Sequence, residues 1–126
     1  NEVSPENLFK TRCDIISPCA LGGAITNSNK KLLKCKAIVG AANNQLEDTS
    51  LSVWLNNNNI VYSPDYLVNS GGVMAIASEI NKTEYLLDNE LQKIANRLRV
   101  VFEESKKNNE STDFVARRIA MERINS

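Results

Sequence analysis

The chain has 126 residues, 42% hydrophobic and 24% charged, which supports one globular domain with its own core and no need of a disulfide or metal staple. Its 15 Lys and Arg balance 15 Asp and Glu, so it lacks the basic surface that nucleic acid or an anionic membrane requires. No apolar run approaches the roughly 20 residues of a membrane span, and the start, with Glu2 and Glu6 and no basic cluster before an apolar core, is unlike a signal peptide.

In chain order, the first apolar run is Cys13-Asp14-Ile15-Ile16-Ser17, followed by a mixed segment, Asn27 to Lys34, that reads as a short helix. The second run is Ala37-Ile38-Val39-Gly40-Ala41, followed by a helix within Glu47 to Asn59, and the third is Ile60-Val61-Tyr62-Ser63. Ile15-Ile16, Ile38-Val39 and Ile60-Val61 are β-branched and continuous rather than alternating, which predicts parallel strands near Asp14–Ser17, Ala37–Gly40 and Ile60–Ser63, covered on both faces. A strand–helix–strand rhythm of about 23 residues is the length of a crossover connection. Ser50 is a candidate cap for a helix burying Leu51, Trp54 and Leu55. Asn59, or a neighbour in Asn56–Asn59, is the expected positive-φ stop before the third strand.

After Pro64-Asp65, where Asp65 opens a helix or braces a turn, Tyr66 to Ile80 is largely apolar. Tyr85 to Lys107 carries Leu87, Leu91, Ile94, Leu98, Val101 and Phe102 at steps of three and four, a long amphipathic helix ended by Asn108-Asn109. Thr112 is a candidate cap for a last helix bearing the apolar residues Val115, Ile119 and Ile124. The fold class expected is α/β, with a boundary near residues 80 and 81: a unit over 1–80 and closing amphipathic helices over 81–126.

The chemistry-bearing residues are few. There is no histidine, and Cys13, Cys19 and Cys35 include no C-x-x-C pair, which removes His-dependent triads and most zinc sites. No metal site is expected, and the cysteines read as reduced, partly buried thiols of a cytoplasmic protein. Three loops follow the predicted strands: Pro18-Cys19-Ala20-Leu21-Gly22-Gly23, Gly40-Ala41-Ala42-Asn43-Asn44-Gln45-Leu46, and Pro64-Asp65 running to Asn69-Ser70-Gly71-Gly72-Val73. Open α/β sheets bind ligands outside the carboxyl ends of their strands. Small residues there admit a flat ligand to the backbone, and Asn offers donor and acceptor without charge. Taken singly, each loop is explained as well by ordinary turns, the Asn pair by an Asx-turn.

Taken together, Cys13 to Gly23, Ala41-Ala42-Asn43-Asn44-Gln45-Leu46, Ile60 to Tyr66 and Asn69-Ser70-Gly71-Gly72-Val73 resemble the Glu/Leu/Phe/Val dehydrogenase family. The likeness extends to the Ala116-Arg117-Arg118 to Glu122-Arg123-Ile124 helix and leans toward the leucine, valine and phenylalanine enzymes, leucine dehydrogenase most. The resemblance implies the second half of a three-layer Rossmann-type NAD-binding domain. It also implies NAD-dependent oxidative deamination of an L-amino acid to a 2-oxo acid and ammonia, in a cytoplasmic homo-oligomer. By the same likeness Pro18, Cys19 and Ala20 border the nicotinamide ribose, and Ala42 and Asn43 face the cofactor. Asn43, with Asn44 as the alternative, then holds substrate or nicotinamide, with Asn69 beside it.

Val73 and Ile76 lie one helical turn apart. The family places this face in the substrate side-chain pocket, where two branched aliphatics suit leucine, isoleucine or valine; plain core packing is the competing explanation. The glycine-rich dinucleotide turn, the residue that selects NAD or NADP, and the family's catalytic lysine and aspartate have no counterpart in the 126 residues. The expectation is therefore a carboxyl-terminal portion, without catalytic residues of its own and inactive alone. An alternative of another class is a non-enzymatic assembly or regulatory fragment that associates through its terminal helices.

Overall fold

The structure, a computed structural model, describes residues 2–126, Asn1 lying outside them. Three short strands, β1 (Ile15–Ile16), β2 (Ala37–Ile38) and β3 (Val61–Tyr62), form a parallel sheet in the order β1-β2-β3. Ile15 lies opposite Ala37, and Ala37 opposite Val61. The three expected strands are thus present, parallel and in order, though each is shorter than its apolar run. Pairing persists beyond the strand ends: Val39 N–H donates to Ile16 O, and Ser63 N–H to Ile38 O, both at 3.0 Å. That registration carries the loops at the carboxyl ends of the strands into one neighbourhood.

Burial corrects the reading of strands covered on both faces. Ile16, Ile38 and Tyr62 are buried while Ile15 is 58% exposed and Val61 45%, so within this chain one face of the sheet is covered. Beneath it Ile25, Ile38, Leu55, Ile60 and Tyr62 make the main core, with Trp54 packed alongside. Ile25, Ile38 and Leu55 are fully buried, worth about 1.5–3 kcal/mol each relative to exposure.

The first crossover is not the helix expected over Asn27 to Lys34; only Lys30–Leu32 forms a single 3-10 turn. Side chains take the backbone groups a helix would need. Asn29 accepts from Thr26 N–H and donates to Ala24 O, and Glu47 accepts from Asn27 N–H, the local competition that makes Asn a poor helix former. The second crossover is helix α2 (after α1, Pro5–Leu8), spanning Ser50–Asn57, with Leu51 and Leu55 buried. Ser50 is its first residue and not its cap; Asp48 Oδ1 accepts from Ser50 N–H at 2.8 Å. Asn59 has φ 57°, as its place before β3 requires. Asn59→Ala should lower stability by about 1 kcal/mol, the cost of a Cβ-bearing, non-Asn residue in the left-handed region, while Asn59→Gly should not; urea melts of the two variants check this.

The apolar stretch after β3 divides into α3 (Asp65–Val68) and α4 (Gly71–Ile80). The long helix α5 runs Leu87–Asn108 and stops at Asn109, φ 54°. Helix α6 (Thr112–Ile124) is capped by Ser111, whose hydroxyl accepts from Phe114 N–H, and not by Thr112. Thr112 instead donates its hydroxyl to Tyr62 O at 2.6 Å, tying α6 to the end of β3. Val101 of α5 and Val115 and Ala116 of α6 form a second core, joined by Leu67 and Ile119. Ile124, at the end of the same apolar stripe, is 75% exposed.

Candidate functional site

The loop after β1 and the loop after β2 are in backbone contact. Ala42 N–H donates to Pro18 O at 2.9 Å, and Gly23 N–H to Asn44 O at 2.7 Å. Gly40 permits this approach: a Cβ there would stand 2.1 Å from Pro18 O. Gly22 is similarly pressed on the carbonyl of Asn43, at 2.8 Å from where a Cβ would lie. Both glycines are required by close packing of one loop on the other.

Asn43 and Asn69 meet. Asn69 Nδ2 donates to Asn43 Oδ1 at 2.6 Å and also lies 3.4 Å from the carbonyls of Ala41 and Ala42. The third loop is thereby joined to the second, and residues Cys19, Ala20, Asn43, Asn44 and Asn69 all belong to this contiguous loop cluster at the carboxyl ends of the strands. Asn43 is exposed and its Oδ1 is engaged, which leaves its Nδ2 as a donor. Asn44 adopts φ 52° and serves the turn through its backbone. Ala42 is 5% exposed, with its N–H given to Pro18 and its carbonyl to Gln45. Val73 and Ile76, on α4, are 72% and 60% exposed, so within this chain they are not packed in a core.

Two residues gain roles that spacing alone did not assign. Gln45 is fully buried and its Nε2 donates to Gly40 O at 2.8 Å and to Ala42 O at 2.9 Å. Its backbone N–H donates to Asp65 Oδ2 at 2.8 Å, and Tyr62 OH donates to the same oxygen at 3.2 Å. Burial first, and then Asp65, push the Tyr62 phenol well above its ordinary pKa, so it remains a donor. Asp65 does open α3, but its side chain is the brace beneath the second loop. The signal available in sequence was the Pro64-Asp65 pair itself, which names a turn without naming what the carboxylate holds.

The loop residues 17–23 and 40–46 carry no charged side chain. Along the exposed edge of β1 runs an apolar groove of about 600 Å³ lined by Phe9, Ile15, Pro18, Cys19 and Ala20 among others. The lining is uncharged and largely apolar. Cys19, expected as a partly buried thiol, is exposed. A hydrogen bond from Ser17 and another from the Ala41 backbone draw its pKa down, while burial, then neighbouring Cys13, push Cys35 up. Because the thiolate is the nucleophile, Cys19 should alkylate faster than Cys35 at neutral pH, its rate climbing with pH from a lower onset than that of Cys35; peptide mass mapping during iodoacetamide treatment checks the order. Among the described residues no helix is long and apolar enough to cross a membrane.

Comparison with known proteins places this geometry. The family model described as Glutamate/Leucine/Phenylalanine/Valine dehydrogenase matches residues 1–125. The chain is 37% identical over 125 residues to a leucine dehydrogenase of Thermoactinomyces intermedius, covering 97% of this chain and 34% of that protein. It is 38% identical over 126 residues to an L-tryptophan dehydrogenase of Nostoc punctiforme, covering 98% and 36%. The crystal structure of L-tryptophan dehydrogenase from Nostoc punctiforme superposes with a TM-score of 0.92 at 38% identity, over 98% of this chain and 37% of that one. A hetero-hexameric glutamate dehydrogenase from Thermus thermophilus shares the fold, with a TM-score of 0.76 at 20% identity, over 97% and 31%. The chain therefore spans about a third of the length of the relatives it matches. By its three converging loops and the match across residues 1–125, the chain belongs to the Glutamate/Leucine/Phenylalanine/Valine dehydrogenase family.

Proposed function

We propose that the chain is the nicotinamide-proximal, carboxyl-terminal portion of an NAD-dependent L-amino acid dehydrogenase acting on leucine or another branched-chain amino acid. Residues 1–80 complete the nucleotide domain and 81–126 close it, in a cytoplasmic homo-oligomer. The observation that carries this reading is the Asn69–Asn43 hydrogen bond held across two uncharged loops whose backbones touch at Ala42 and Pro18.

NAD supplies the hydride acceptor for oxidation of the amino acid at its α-carbon. The chain's own contribution is placement. Pro18, Cys19 and Ala20 present small groups and backbone to the nicotinamide ribose, with Ala42 shaping the loop opposite. Asn69 occupies the Oδ1 of Asn43 and leaves its Nδ2 as a donor for an acceptor oxygen: the substrate carboxylate or the nicotinamide carboxamide. Asn44 supplies the turn that aims it. Val73 and Ile76, branched and exposed on α4, are available as the wall against the substrate side chain, where one methylene is worth about 1–3 kcal/mol. Loss of a hydride from the α-carbon and a proton from the amine leaves the α-imino acid; water then adds to its C=N bond and the C–N bond breaks, giving the 2-oxo acid and ammonia, with proton transfer assigned to groups outside these 126 residues.

In the full-length enzyme, Asn43→Ala should reduce kcat/KM by roughly 10–100-fold, the scale of one or two lost hydrogen bonds at about 1.5 kcal/mol each. Steady-state kinetics with L-leucine measures it, and unchanged efficiency would remove Asn43 from the site. The exposed apolar residues Ile76, Ile80 and Tyr85 support a second reading, an assembly fragment without activity. Absence of amino-acid oxidation by the full-length protein would select it.

A further inference from the structure

We propose that Gln45 is a positioning residue for the dehydrogenase reaction, acting through Asn43. This rests on the reading above that Asn43 faces the cofactor and substrate. The loop after β2 has no regular secondary structure at Ala41–Asn44, so its peptide orientations depend on what its carbonyls bond to. Gln45 reaches back beneath it and joins Gly40 O and Ala42 O through one amide nitrogen, at 2.8 and 2.9 Å. Two carbonyl acceptors at that range require nitrogen on that side, which fixes the amide's orientation. Its Oε1 is buried with no partner among the described residues, so the two Nε2 bonds alone set it.

The same residue is anchored from below by Asp65, which Tyr62 also holds. A buried chain of bonds thus runs from the end of β3 through Asp65 and Gln45 to the peptide preceding Asn43. Asn69 holds Asn43 from the other side. Gln45 does not touch the ligand; it keeps the Asn43 donor aimed while the ligand changes. Two loop carbonyls bound to one amide resist rotation of the intervening Ala41-Ala42 peptide, and misplacement by 1 Å near the reacting atoms is costly.

The test uses two variants in the full-length enzyme. Gln45→Met keeps the volume and removes both donors. Gln45→Glu places a carboxylate against two carbonyls, and only its protonated form can donate to one of them. Both are expected to lower kcat about tenfold or more per folded molecule, with the KM for NAD changed less than threefold. In Gln45→Glu, part of the loss should be recovered as pH falls through the introduced carboxyl's pKa, raised by burial; Gln45→Met should show no such recovery. The double variant Gln45→Met with Asn43→Ala should be little worse than Asn43→Ala alone. Wild-type kcat in the variants, or losses that multiply in the double variant, would overturn the positioning role while leaving Asn43 in the site. An inert Asn43→Ala would overturn both. Either Gln45 variant suffices should the other fail to fold.

Discussion

Gly40→Ala should destabilise the chain by about 3 kcal/mol, at the upper end of the usual cost of overpacking, and lower its melting temperature by about 10 °C. The added Cβ would stand 2.1 Å from Pro18 O, 2.6 Å from Pro18 N and 2.7 Å from Pro18 Cδ. Two of those atoms are backbone, so no flexible side chain can swing away, and relief requires the two loops to part. Parting them breaks the Ala42 N–H to Pro18 O bond and displaces Gly40 O, an acceptor for Gln45. Against a typical total stability of about 5–15 kcal/mol this is a large fraction. Gly72→Ala, where a Cβ meets nothing within 4 Å, is the matched control and should melt near the parent. Equal melting of the two variants by circular dichroism would mean that the contact between the loops after β1 and β2 does not hold the fold.

That contact illustrates what the sequence made legible. Runs of β-branched residues at Ile15, Ile38 and Ile60 located three strands, because a buried strand must be apolar whatever surrounds it. The stops at Asn59 and Asn109 were readable at Asn59 and at Asn108-Asn109, since a side chain tolerant of positive φ is needed there. The segment from Asn27 looks helical in sequence but is not, because side-chain bonds from Asn29 and Glu47 to distant or local backbone groups leave no periodic trace. Helix caps shifted by one or two residues for a related reason. Asp48, Ser50, Ser111 and Thr112 are all competent caps, and tertiary contact, such as Thr112 with Tyr62 O, chooses among them. In the site, the motif residues were visible as loops after strands. Their mutual bonding was not: that Asn69 meets Asn43, and that Gln45 and Asp65 brace the loop from beneath, are facts of distance across 20 and more residues.

The larger functional effect is expected from the chain by itself: no measurable dehydrogenase activity, and NAD affinity in the millimolar range or weaker, about −4 kcal/mol. The pyrophosphate of a dinucleotide normally docks on the amides of a glycine-rich turn at a helix N-terminus, and the loops over 17–23 and 40–46 offer neither such a turn nor a cation. On the proposed function they would touch the nicotinamide half alone, through uncharged groups. The groove beside β1, with Ile15 and Leu21 exposed, lies open along the sheet edge; if the nicotinamide sits there as proposed, the chain alone leaves water free to reach it, where hydride transfer requires its exclusion. An unpaired strand edge and exposed apolar residues on α4 should also make the chain prone to self-association at high concentration.

The direct measurement is NADH formation from L-leucine, followed at 126-residue-chain concentrations that calorimetry with NAD covers in parallel, with the chain alone and with the chain mixed with the amino-terminal two-thirds of the Thermoactinomyces leucine dehydrogenase. The proposed function predicts no NADH and millimolar or weaker NAD binding for the chain alone, and NADH production dependent on both pieces and on Asn43 in the mixture. Micromolar NAD binding or NADH production by the chain alone would contradict it.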